Sequence, residues 1–238
     1  MYNYNESNTQ HFFNYDIKPE KYTKNISALE KDVVIGTFTH VSTYFPKLLE
    51  SANKYLPHIP FITVLKEDNI RNNMNLLREA FLKTNKRYWV YLDHDVQFLN
   101  SDIINNALKI LIKNKAGIVT TYMKFNPKIL STQYNTKNLI EHQTTWAVGY
   151  FIMIDSFKLG HQLTDINLPC PNTGIDISYS MEARISGYEI WACPDCIYHA
   201  KKNTPVNIEM ANKTHKYLLK KWGTYYIDGI QPLKTILD

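Results

Sequence analysis

The sequence predicts an α/β fold: a central, mostly parallel sheet flanked by helices. Three observations carry that expectation. Four short apolar runs alternate with segments whose apolar residues recur at helical spacing. The 238-residue chain is 44% hydrophobic, enough to bury one sizeable core. No internal repeat or low-complexity linker interrupts it, and a charged fraction of 21% with 13% aromatics is ordinary globular composition, which excludes a disordered or fibrous chain.

The elements follow in order. Residues 1–30 are polar and rich in Asn and Tyr, and read as an N-terminal extension. Val33-Val34-Ile35 is a β-branched run ended by Gly36, which predicts a first buried strand. Leu48, Leu49, Ala52 and Leu56 fall at helical spacing before Pro57. A second strand is expected over Phe61–Leu65, and a second helix around Met74, Leu77, Ala80 and Phe81. The third strand, Tyr88–Leu92, runs straight into Asp93-His94-Asp95. A third helix around Ile103, Ala107, Ile110 and Leu111 leads to a fourth strand over 118–121.

The second half is less regular. A strand is expected over 146–154, a helix over Ile175–Ile185 closed by Gly187, a strand over 188–192 and a basic amphipathic helix over 212–222. The domain is therefore placed at 31–200, with a C-terminal basic helix and tail over 201–238. Right-handed crossovers place the strand C-termini on one rim, where open α/β sheets bind ligands.

The bulk chemistry narrows the function only a little. The net charge of +5 fits a phosphate-rich ligand, a nucleic acid or an anionic surface, and fits a merely basic exterior as well. Tyr occurs 17 times, and its amphipathic ring suits sugars and bases as well as ordinary cores. No apolar run reaches the roughly 18 residues of a membrane span. Three cysteines, and an N-terminus without a basic start and apolar stretch, point to a reducing, cytoplasmic setting.

Three groups of residues can carry chemistry. Asp93 and Asp95 leave the end of an apolar strand, where carboxylates are costly unless paired or bound to a cation. Mg²⁺ and Mn²⁺ take such oxygens and keep positions open for phosphates; a solvated Asp-rich turn is the alternative. Asp176 stands where a loop becomes a helix. There it can cap the helix, or it can accept a proton from a hydroxyl nucleophile. His199 follows a strand and is a metal ligand only in company. Cys193-Pro194-Asp195-Cys196 with His199, and Cys170 as a fourth ligand, has zinc spacing. The same residues also read as a redox pair or as inert small side chains. Leu218, Leu219 and Trp222 on the last helix pack on the domain, unless that basic helix lies on a membrane or nucleic acid.

The order of these pieces resembles glycosyltransferase family 2 and related enzymes of the GT-A fold, over about residues 32–200. The matching pieces are Asn75 with Ala80, Asp93-His94-Asp95, the small-residue and apolar stretch 146–153, Asp176 with Arg184 and Gly187-Tyr188, Pro194-Asp195 before Tyr198-His199, and Lys221-Trp222. The chain departs from the family where Ile175-Asp176 replaces an acidic pair, and where Thr37-Phe38-Thr39-His40 follows the first strand.

The resemblance implies a Rossmann-like GT-A domain that moves a sugar from a nucleotide-diphosphate donor, most often a UDP-sugar, to a hydroxyl acceptor. That acceptor could be a glycan, a lipid-linked glycan, a protein or a modified DNA base. Asp93, Asp95 and His199 would hold Mn²⁺ or Mg²⁺, with Asp93 also facing the donor. Asp176 would be the base of an inverting transfer. Thr37 and Asp68 would flank the nucleotide base, and Arg71 would approach the phosphates. Rival readings are a glycosyltransferase acting on hydroxylated bases in DNA, a non-catalytic module that binds nucleic acid or a partner, and a nucleotidyltransferase.

Overall fold

Alternation along the strands decides which helix lies on which side. Val33 and Ile35 of β1 (Val33–Thr39) and Tyr88, Val90 and Leu92 of β3 (Tyr88–Leu92) enter one core; Val34, Trp89 and Tyr91 enter the other. Both faces are apolar because both are covered, as buried parallel strands require. In the computed structural model, the described residues are 29–39, 43–65, 70–126, 129–131, 139–165, 167–170, 174–200 and 208–223. Almost all of the expected extension at 1–30, and the tail beyond 223, lie outside them.

The remaining elements are α1 (Phe45–Tyr55), β2 (Phe61–Leu65), α2 (Ile70–Leu82), β4 (Val96–Phe98), α3 (Ile103–Lys113), β5 (Ala116–Asn126), β6 (Ile129–Ser131), β7 (His142–Thr144), β8 (Phe151–Asp155), α4 (Ser156–Leu159), α5 (Ile175–Ile185), β9 (Glu189–His199) and α6 (Ile208–Trp222). The sheet order is β2-β1-β3-β8-β5-β9-β4, with β6 on β5 and β7 on β9. α1 and α3 cover one face through Leu48, Ala52, Ile103, Ala107 and Leu111. α2, α5 and α6 cover the other through Met74, Leu77, Phe81, Tyr179 and Leu218.

β2, β1, β3, β5 and β9 point the same way, so the mostly parallel α/β sheet is observed. β8 runs against both neighbours, and β4 runs against β9, so two strand ends leave the expected rim. The strand expected over 146–154 begins only at Phe151; before it the chain folds back, with Val148 bridged to Phe151. β9 extends well past residue 192 to His199 by absorbing Pro194 and Asp195 as a bulge: Thr121 faces Cys193, and the next residue, Tyr122, faces Cys196. β4, β6, β7 and α4 are too short for their periodicity to show in the sequence.

β1 also continues through Gly36 to Thr39. The glycine marks a close approach and not the strand's end. A Cβ there would lie 2.5 Å from Phe81 Cζ and 2.6 Å from Leu77 Cδ1, so α2 rests directly on the strand backbone. α6 packs as expected through Leu218, with Trp222 partly buried against the same core, but Leu219 is exposed. Tyr217 and Lys221 both donate to the buried Asp165 carboxylate, and Lys221 also reaches Glu182. No helix among the described residues is long and apolar enough to cross a membrane.

Gly36→Ala should cost about 1–3 kcal/mol, the usual penalty for overfilling a packed core. Urea unfolding at neutral pH measures it, and an unchanged midpoint would contradict the close approach of α2.

Candidate functional site

Asp93 follows the last residue of β3, at the C-terminal rim of the sheet. The chain turns through His94 and Asp95 and returns as β4, antiparallel to β9, with Val96 opposite His199. The Ala200 N–H donates to the Asp95 carbonyl at 2.8 Å, extending that ladder by one step. Strand pairing therefore sets the Asp95 side chain beside the His199 ring. His199 Nε2 lies 3.4 Å from Asp95 Oδ1 and 4.0 Å from Asp93 Oδ2. One donor atom from each of the three lies within 4.8 Å of the others.

The donor set fits a hard divalent cation. Oxygen and imidazole ligands about 2.1 Å from an ion lie about 3.0 Å apart when adjacent and about 4.2 Å apart when opposed. Both measured separations from His199 fall in that window. Asp95 and His199 are 8% and 12% exposed at the side chain, while Asp93 is 36% exposed. The cluster is thus walled on one side and open on the other, as a ligand-accepting ion requires.

A turn ahead of β8 ties this cluster to Asp176. The Asp93 N–H donates to the Tyr150 carbonyl at 3.4 Å, and the Tyr150 ring meets His199 edge-on with centroids 6.3 Å apart. The Tyr150 hydroxyl donates to the Thr121 carbonyl at 2.9 Å, which fixes the ring. Next to it, the Gly149 N–H donates to Asp176 Oδ2 at 3.3 Å. The turn is further held by Ser180 Oγ, which accepts from Ala147 N, and by Thr120 Oγ1, which accepts from Val148 N. Tyr150, Thr120 and Ser180 were not singled out from the sequence. The position of Tyr150 beside Gly149 in the small-residue stretch is the one local signal.

Asp176 sits in the first turn of α5 and does not cap it. The N-cap is Gly174 at φ +79°, a left-handed conformation that favours glycine. A Cβ there would also lie 2.7 Å from Thr214 Cγ2, so the docking of α6 and the entry into α5 are coupled. Asp176 is half-buried, with Oδ1 accepting from Ile177 N at 2.9 Å. Burial pushes its pKa above the ordinary carboxylate value, opposed by the Ile177 and Gly149 N–H groups.

The other expected site residues fall elsewhere. Thr37 is fully buried, and its hydroxyl donates to the Leu92 carbonyl at 2.7 Å. It braces the end of β3 and offers no side-chain surface to a base. Arg71, on α2, donates from one guanidinium nitrogen to the Leu168 carbonyl at 2.7 Å. Asp68 lies outside the described residues. Cys193 and Cys196 are buried, Cys193 donates to Asp195 Oδ2, and neither joins a metal-competent group among the described residues. Burial and the adjacent Asp195 carboxylate raise the Cys193 pKa strongly, which suits an inert thiol.

No protein-family model matches the chain, and no curated protein matches it. Solved structures do. GalNAc-T7 with UDP, GalNAc and Mn²⁺ aligns at TM-score 0.59 and 10% identity, over 82% of this chain and 49% of that one. The mannosyltransferase PcManGT from Pyrobaculum calidifontis, in complex with GDP-Man and Mn²⁺, aligns at 0.52 and 14%, over 87% and 64%. TarS residues 1–349 from S. aureus aligns at 0.53 and 11%, over 86% and 76%. The chain thus spans about half of the GalNAc-T7 chain and under two thirds of the PcManGT chain. At these identities the likeness is one of fold: the chain has a GT-A glycosyltransferase-like fold. Its rim carries an Asp-Asp-His cluster able to hold a metal ion.

The raised pKa of Asp176 has a stability consequence. Below its ordinary value of 3.8 the side chain is protonated whether folded or unfolded, and no cost arises. As pH rises from there through the higher folded value, charging the half-buried group costs stability. Asp176→Asn, neutral throughout, should therefore gain melting temperature relative to the parent between about pH 4 and pH 7. Differential scanning fluorimetry across that range tests this; a flat difference would contradict the raised value.

Proposed function

We propose that this chain is a metal-dependent, inverting glycosyltransferase that moves a sugar from a nucleotide-diphosphate donor, a UDP-sugar, to a hydroxyl acceptor. One observation carries the reading: Asp93 and Asp95 meet His199, far along the chain, at the ligand rim of a GT-A-like fold. The bound nucleotides and Mn²⁺ of GalNAc-T7 and PcManGT support it by analogy of fold.

Asp93, Asp95 and His199 would hold Mn²⁺ or Mg²⁺. Such a cation, when bound, offsets the charge that builds on a departing diphosphate. Asp176 takes the proton of the acceptor hydroxyl as its oxygen attacks the anomeric carbon, and single displacement at that carbon inverts it. Partial burial makes Asp176 a stronger base than a solvated carboxylate. The Gly149 and Ile177 N–H groups hold its two oxygens, which fixes the orientation of the carboxylate toward the incoming proton. The Tyr150 ring keeps His199 turned toward the two aspartates. Asp68 and Arg71 are assigned to the donor's base and phosphates. A DNA-base acceptor, a non-catalytic binding module and a nucleotidyltransferase are the rival readings, and no geometry at this rim favours them.

The test combines binding and turnover. Mn²⁺ with UDP should raise the melting temperature of the parent, because both bind only the native state. The chain should also hydrolyse a UDP-sugar slowly without acceptor, releasing UDP and no pyrophosphate. Asp95→Ala should fold, lose the Mn²⁺-dependent shift and lose turnover by about a hundredfold or more, the scale of several kcal/mol of metal stabilisation. Undiminished sugar release by a folded Asp95→Ala would end the assignment.

A further inference from the structure

The bulge in β9 carries a buried carboxylate to which sugar transfer gives no part. Asp195 is 8% exposed. Its Oδ1 accepts from the Asn100 side-chain amide at 3.1 Å. Its Oδ2 accepts from the Asn106 side-chain amide at 2.8 Å and from the Cys193 thiol at 3.2 Å. All three donors are neutral. A charge in that setting is costly to desolvate and adds little net stability; the best-attested use of such groups is to fix a register.

The strand pairing shows which register it is. Val96 faces His199, Gln97 faces Tyr198 and Phe98 faces Ile197. Carried two residues further, the same register sets Asn100 opposite Asp195. Carried one residue the other way, it sets Asp95 opposite Ala200, whose N–H donates to the Asp95 carbonyl at 2.8 Å. The Asn100–Asp195 bond is therefore a cross-strand link at one end of the ladder that has Asp95 at the other. β4 is only three residues long. On its outer side the Phe98 N–H donates to Ser51 Oγ of α1 at 3.1 Å. So short a ladder specifies its register weakly, and a slip of one residue would carry Asp95 about 3.4 Å past His199. Ligand atoms about 2.1 Å from an ion cannot absorb such a shift.

The link also reaches α3. Asn100 Oδ1 accepts from Asp102 N at 2.9 Å and from Ile103 N at 3.0 Å, and so supplies the cap that the Asp102 side chain does not. Asn106, in the first turn of α3, gives Asp195 its second amide bond. The bulge is thus tied both to the segment leaving β4 and to the helix that follows it. We propose that Asp195 is a positioning residue for the acidic cluster: through Asn100 it locks β4 on β9 in the register that brings Asp95 to His199. The inference rests on the reading of that cluster as a metal site, while the register itself is independent of an ion.

Exchanging the amide and the carboxylate tests it. Asn100→Asp sets two carboxylates against each other at the link. It should weaken Mn²⁺ binding about tenfold or more, the scale on which loss of outer support acts at metal sites. Binding is read at neutral pH from the paramagnetic resonance of free Mn²⁺ titrated with the full chain. Adding Asp195→Asn restores the bond with its roles reversed, and the new amide oxygen can keep the Asn106 and Cys193 bonds. The double variant should therefore return to within about twofold of the parent, because contacting residues couple. The Ala200 amide gives a readout without metal: its hydrogen exchange, followed by NMR, should quicken in Asn100→Asp and slow again in the double variant. Asn100→Ser keeps an oxygen for the start of α3 but withdraws the amide from Asp195. It should shift both readouts in the same direction, and it serves if Asn100→Asp does not fold. Arg87→Lys, which loses a two-pronged bond to Asp155 at the opposite rim, should lower the melting temperature and leave both readouts unchanged. Parent-like Mn²⁺ affinity and Ala200 protection in the folded single variants, or no recovery in the double variant, overturns the proposal. A parent that binds no Mn²⁺ ends the metal reading instead, and Ala200 exchange still decides whether Asp195 holds the register.

Discussion

The pairing of a three-residue strand, β4, with the end of β9 is the constraint on which the rim depends. β3 delivers Asp93 to the ligand side of the sheet, but one strand end offers only one fixed direction. The reversal through Asp93-His94-Asp95 and the return along β9 give the second carboxylate a partner, His199, that lies 104 residues later in the chain. Two carboxylates this close to one another repel, and Asp95 is nearly buried. A positive charge placed between them would relieve that repulsion.

Support for the cluster comes from the strand that runs the wrong way. β8 enters the sheet antiparallel, so the turn before it reaches the same rim that β3 reaches at its end. The turn's Tyr150 carbonyl holds Asp93, its ring abuts His199, and the Gly149 N–H holds Asp176. A single short segment thus sets the spacing between the acidic cluster and the carboxylate assigned as base. Thr37 adds a brace from below through the Leu92 carbonyl. The site's precision resides in backbone hydrogen bonds of the sheet, which are rigid, more than in side-chain packing at its surface.

Much of this was legible in the chain itself, and the exceptions have physical causes. Elements such as α3, β3 and α5 match their expected positions because helical spacing, or an unbroken apolar run, dictates both pattern and structure. β9 was expected to stop near residue 192. It continues because a two-residue bulge at Pro194 and Asp195 lets pairing with β5 resume at Cys196. Gly36 read as punctuation and proved to be a contact point for α2, a difference set by a helix some forty residues away. The zinc spacing of Cys193, Cys196 and His199 is a coincidence of numbering: on the bulged strand Cys193 is buried in one core cluster and Cys196 in another, while His199 reaches the rim.

By itself, the sequence determined the α/β class, the register of apolar faces, and the candidate chemical groups at Asp93, Asp95, Asp176 and His199. Those follow from local properties: side-chain type, spacing and the period of burial. Only the tertiary structure decided that β8 and β4 run against their neighbours, and that Tyr150 and Gly149 link the cluster to Asp176. The reason is that strand order and direction are set by which faces can be covered together. That is a property of the whole chain, and no window of neighbouring residues carries it.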